Sequence, residues 1–160
     1  MKLTDQVSDV TTNFSEQITP ETGIVDVRGS ATDAQGNTYV VGTVTGDLGQ
    51  GIVQGAQDVF LRKYDSAGHM IWSHLLGSST RADGFAVAVD SSGNVAIAGR
   101  VTDRLTTSAT GGGNDSFVSK YNANGDEIFT RQIAPVLDDQ ANALTFGAEA
   151  RSMSPGRPRA

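Results

Sequence analysis

Several residues in this sequence have types and spacings that could do chemistry. Thr110-Gly111-Gly112-Gly113-Asn114-Asp115-Ser116-Phe117 carries the glycine–aspartate pattern of a calcium-binding nonapeptide that lacks its first glycine. Such sites share each ion between successive turns and so need tandem copies. The stretch 57 residues earlier, Val53-Gln54-Gly55-Ala56-Gln57-Asp58, has no such pattern, which favours a plain loop before a strand. Asp33, Asp65 and Asp90 could supply oxygens to calcium as well. Each sits three residues before a glycine, however, where turn aspartates bond the backbone amides ahead of them. His69 and His74 are the two histidines. They lie five apart beside one expected strand, so alternation sends them to opposite faces, against a metal pair or a nucleophile–base pair. No serine or threonine occupies a nucleophile-elbow context, and Asp138-Asp139 are adjacent in a loop without the marks of a buried dyad. The residues therefore define no catalytic, cofactor or metal site, and the chain reads as a non-enzyme.

What must position these residues is an internal repeat. Shifting the chain by 57 residues aligns 26–82 with 83–139 without a gap. Asp33-Ala-Gln-Gly36-Asn37 falls on Asp90-Ser-Ser-Gly93-Asn94. Asp58-Val-Phe60-Leu-Arg-Lys63-Tyr64 falls on Asp115-Ser-Phe117-Val-Ser-Lys120-Tyr121. There are 16 identities in 57 positions, where unrelated sequence gives roughly four. The register runs on at both ends: Phe14–Thr19 is similar to Trp72–Gly77, and Asp139–Thr145 to Asp83–Val89. The organisation expected is an incomplete unit over 1–25, full units over 26–82 and 83–139, the start of a further unit over 140–148, and a tail over 149–160.

Within a unit the pattern is strand and turn, with no helical period. The expected strands are Thr38–Val44, Asp58–Tyr64, Met70–Leu76 and Phe85–Val89, with counterparts 57 residues on. Gly36 and Gly93 occupy equivalent turn positions that call for positive φ. Tyr39-Val-Val41 and Val95-Ala-Ile-Ala98 are apolar on both faces, which suits a sheet held between neighbouring sheets. The fold class expected is all-β, with antiparallel four-stranded blades forming a partial β-propeller of about two and a half blades.

The order of Asp-x-x-Gly-Asn, apolar strand, Gly, long loop, Asp-x-Phe-x-x-Lys-Tyr, turn Gly and aromatic resembles the bacterial β-propeller repeat called SBBP, over about residues 10–146. That resemblance implies a propeller blade from a large secreted or cell-surface bacterial protein, and no catalytic residues. The spacing from Gly68 to Trp72 is similar to that of quinoprotein propellers, but Phe129 in the second copy favours packing between sheets over a cofactor. The function expected is a non-catalytic propeller segment of a larger protein, serving as an interaction or scaffold module. Its partner would be a protein or carbohydrate, or further copies meeting through uncovered blade faces. Two alternatives are a propeller enzyme whose site lies in other blades and a calcium-stiffened secreted adhesin.

Composition sets outer limits. The net charge of −6 argues against nucleic acid or an anionic membrane as partner. With no cysteine, disulfides and thiolate metal sites are excluded. The start, Met1-Lys2-Leu3-Thr4-Asp5, leads into no apolar signal segment, and no apolar run is long enough to span a membrane. The compartment stays open. From Glu149 onward the chain turns rich in Arg, Ser and Pro, as a disordered end does. Back-translated two bases on, this stretch can encode Gly-Ser-Leu-Tyr-Val-Ala-Gly, close to Gly36–Gly42, so an out-of-frame tail is expected.

Overall fold

In a computed structural model of the chain, residues 23–46, 55–105, 113–133 and 144–146 are described. The segments 1–22, 47–54, 106–112, 134–143 and 147–160 lie outside the described residues, as do the expectations for Thr110–Gly112, Asp138-Asp139 and the tail.

The strands are β1 (Ile24–Thr32), β2 (Thr38–Thr45), β3 (Asp58–Tyr64), β4 (Met70–Leu76), β5 (Arg81–Val89), β6 (Val95–Thr102), β7 (Asn114–Tyr121) and β8 (Glu127–Ile133). They form two four-stranded antiparallel sheets, each in simple sequence order: β1-β2-β3-β4 and β5-β6-β7-β8. The four short hairpins, β1–β2, β3–β4, β5–β6 and β7–β8, each close on an Asp or Asn side chain. Asp33 Oδ1 accepts from the amides of Gln35 and Asn37, both at 2.9 Å. Asp65, Asp90 and Asn122 repeat the arrangement at the equivalent turns. Gly36 and Gly93 stand there at φ of 86° and 80°, in the left-handed region that costs a glycine nothing. In the two edge strands β1 and β5 the register slips at the same place, between Val27 and Gly29 and between Gly84 and Ala86. The extra residues of these bulges are Arg28 and Phe85.

The sheets pack face to face. Tyr39, Val41, Val59 and Leu61 from the first sheet meet Val95, Ile97, Val101, Phe117 and Tyr121 from the second in one buried core. Burying Leu61, Ile97 or Phe117 fully is worth roughly 1.5–3 kcal/mol each. The faces that meet are unlike. Moved back by one repeat, the sheet-two residues fall on Thr38, Val40, Val44, Phe60 and Tyr64, which point to the opposite side of the first sheet.

This architecture corrects the expectation of a partial propeller. The eight described strands make a two-layer β-sandwich with no circular closure, so they are not blades of a ring. Apolar residues on both faces had suggested neighbouring sheets on each side. In the first sheet the second face is instead served by a smaller cluster of its own, in which Val25, Val40 and Leu75 pack on buried Val44 and Phe60. Two-faced apolarity therefore does not require a ring. The assignment as a propeller segment, and the propeller-enzyme alternative, fall with the fold.

Candidate functional site

Two polar constellations lie between the sheets, and they do different things. At one end the first sheet grips the turns of the second. The Tyr39 hydroxyl lies 3.2 Å from both Asp33 Oδ2 and the Gly93 carbonyl. Lys63 Nζ donates to the Ala123 carbonyl at 2.9 Å, and Trp72 Nε1 donates to the same oxygen at 3.2 Å. His74 Nε2 donates to the Gly125 carbonyl at 2.6 Å while its ring stacks on Tyr121 at 4.8 Å. Gly125 has room for this only because it lacks a Cβ, which would stand 3.1 Å from both His74 and Trp72. Burial, and then the charge of Glu127, push the Tyr121 phenol up to about 12, so it stays neutral. This end is built for cohesion.

At the other end lies a cleft of about 260 Å³, lined by Ile24, Asp26, Arg28, Thr43, Thr45, Gln57 and Arg81. Its geometry follows from strand alternation. Ile24 and Asp26 of β1 lie opposite Thr45 and Thr43 of β2, and Arg28, two residues further on, lines the same cleft. From the second sheet, Arg81 enters at the start of β5, where it bridges to Gln57.

The charged groups of the cleft are held in place. Arg28 Nη2 lies 2.6 Å from Asp26 Oδ2. Arg81 Nε and Arg100 Nη2 lie 3.2 and 2.9 Å from Oδ2 of buried Asp83, whose other oxygen accepts from Gln57 Nε2. The Phe85 ring lies between two guanidiniums, with Arg28 and Arg100 each 5.9 Å from its centroid. Among the described residues, three guanidiniums face two carboxylates here, in a chain whose net charge is −6. Thr43 completes the wall. It is only 4% exposed, and its hydroxyl has no hydrogen-bond partner among the described residues. A buried hydroxyl left unpaired is costly, and this one is closed off from solvent.

The residues singled out in the sequence are not brought together. His69 is exposed in the β3–β4 turn, 3.2 Å from Asp65, whereas His74 faces the second sheet. Trp72 packs edge-on to Tyr39 with ring centroids 6.0 Å apart, in the inter-sheet position expected of an aromatic there. Asp33 and Asp90 are engaged by their own turns, and Asp115 accepts from Gln132 Nε2 at 2.7 Å. Sequence reasoning missed the cleft residues. The available signals were the match of Asp26 with Asp83 one repeat later and the alternate spacing of Ile24, Asp26 and Arg28; the bulges at Arg28 and Phe85 leave no such trace.

No family model matches the chain, which leaves the resemblance to the SBBP repeat without support alongside the two-sheet topology. The chain is similar to the Regulatory protein FlaEY of Caulobacter vibrioides, with 37% identity over 149 residues. The match takes in 84% of this chain and 15% of that protein. The chain thus spans about one seventh of the length of the relative it matches.

Proposed function

We propose that this domain is a non-catalytic recognition module that binds its ligand in the cleft lined by Asp26, Arg28, Gln57 and Arg81. The observation that carries this is a cleft whose lining sets Arg28, paired with Asp26, and Arg81, paired with Asp83, against the small polar side chains of Thr45 and Gln57. Arg28 and Arg81 need little reordering to bind, and preorganisation of this kind favours affinity. The similarity to a protein named as regulatory fits binding better than turnover, and regulation through recognition is the role proposed for this chain too.

The test is a mixed set of small neutral, anionic and cationic compounds titrated into isotope-labelled protein and followed by amide NMR. Shifts clustered on Asp26, Arg28, Thr43, Thr45, Gln57 and Arg81 are expected. No binding at all, or shifts confined to the gripped turns at the opposite end, would remove the cleft as the site.

A further inference from the structure

We infer that Asn124 is a site of spontaneous deamidation whose rate is set by the grip of the first sheet on its turn. Asn124-Gly125 is the single Asn-Gly pair in the sequence. The chemistry favours that pair, because the Gly125 backbone nitrogen must reach the Asn124 side-chain carbonyl and a residue without a Cβ hinders the approach least. At the three equivalent turns Gln35, Ala67 and Ser92 precede the glycine. Ala67 and Ser92 offer no carboxamide, and Gln35 would have to close a larger ring. Asn124 is exposed, so water and hydroxide reach it.

The reaction needs only water and hydroxide. Hydroxide takes the Gly125 amide proton, and the nitrogen bonds to Cγ of Asn124. The Cγ–Nδ2 bond then breaks, and ammonia leaves with a proton from water, which restores the hydroxide. Water opens the cyclic imide at either carbonyl. One opening gives aspartate. The other gives isoaspartate, whose main chain runs through the former side chain and is longer by a methylene. Either product sets a new carboxylate beside Asp126 and Glu127.

The closed turn opposes the attack. Gly125 N donates to the Asn122 carbonyl at 3.0 Å, and Asn122 Oδ1 accepts from the amides of Asn124 and Asp126, both at 2.9 Å. The nucleophile is thus engaged within the turn and is released only when the turn opens. Three side chains of the first sheet hold it shut: Lys63 and Trp72 on the Ala123 carbonyl, and His74 on the Gly125 carbonyl. Opening therefore breaks contacts between the sheets. Isoaspartate, once formed, displaces the Gly125 carbonyl from His74 and keeps the contact from closing again. The modification is a one-way loosening of this end.

The experiment incubates the full chain at mildly alkaline pH, folded and in denaturant, and follows Asn124 by peptide mass mapping with isoaspartate detection. The expected rate in the folded chain is at least about tenfold below that in denaturant, since reaction waits on local opening. Trp72→Ala and the milder His74→Phe are each expected to raise the folded rate several-fold. Val101→Ala trims the core at the far end of the second sheet and is expected to leave the rate unchanged. Equal rates with and without denaturant, or a rise with Val101→Ala as large as with the grip variants, overturn the gating. No reaction at Asn124 in denaturant overturns the site. Trp72 is the one tryptophan, so its emission reports the grip directly. The fully modified chain is expected to show red-shifted emission and a lower melting temperature, and Asn124→Ser, incubated alike, neither. Unchanged emission and melting of the modified chain overturn the loosening.

Discussion

Asp33 and Asp90 each spend their carboxylate on the turn they begin. Burial alone would raise these carboxyls. Hydrogen bonds outweigh it: from the Asn37 side chain and amide, Gln35 and Tyr39 at Asp33, and from the Asn94 side chain and amide and Ser92, with the charge of Lys120, at Asp90. Both are therefore held below the ordinary carboxylate value. A group whose folded value is depressed adds stability above its unfolded value, near pH 4, and loses it as pH falls through the folded value. The melting temperature should accordingly fall as pH drops below about 4. Asn122 fills the same role without a titrating group, so the double variant Asp33→Asn, Asp90→Asn should keep its turns and show a shallower acid slope. Melts across that pH range decide it, and an unchanged slope would place the acid sensitivity elsewhere. The turn role of these aspartates was legible because it is local, set within five residues. Arg28, Thr43, Gln57 and Arg81 were not, because a cleft depends on how two sheets meet, and residues up to 57 positions apart come together there only after packing.

At the scale of the element, hairpins were the most readable part of the molecule. Strands β3 and β4 fall on the expected residues, and β5 begins four residues before its expected start because Arg81–Gly84 pair across to β6 ahead of the bulge. Alternation carried that reading, and a bulge interrupts alternation without changing composition. Gly93 joins local geometry to packing. Besides its φ of 80°, a Cβ there would lie 3.2 Å from Ala123 Cβ, and the Gly93 carbonyl meets Tyr39 of the other sheet. Gly93→Val should therefore cost roughly 1–2 kcal/mol from backbone strain alone. Gly36→Val carries the same strain, with its nearest contact to exposed Ser66. Chemical denaturation of both variants should show the larger loss at Gly93; equal losses would mean that the turn's contact with the first sheet adds nothing.

On the scale of the whole molecule, the repeat identified the unit but not how units are arranged, since a 57-residue period is compatible with any stacking of like sheets. The arrangement rests on side chains from one copy with different counterparts in the other: Trp72 and His74 correspond to Phe129 and Arg131. Trp72 is partly buried, so Trp72→Ala should lower stability by about 2–3 kcal/mol, at or below the low end for a core aromatic, in one cooperative transition seen equally by probes in both sheets. Two separated transitions would show that the sheets unfold independently. The meeting of unlike faces has a consequence for ancestry. A unit whose front fits its own back needs no fresh surface when its coding sequence is duplicated in tandem; the copy docks at once on the original. A front-to-front contact would have demanded a connector long enough to turn the second sheet over, whereas here Gly77-Ser78-Ser79-Thr80 suffices between β4 and β5.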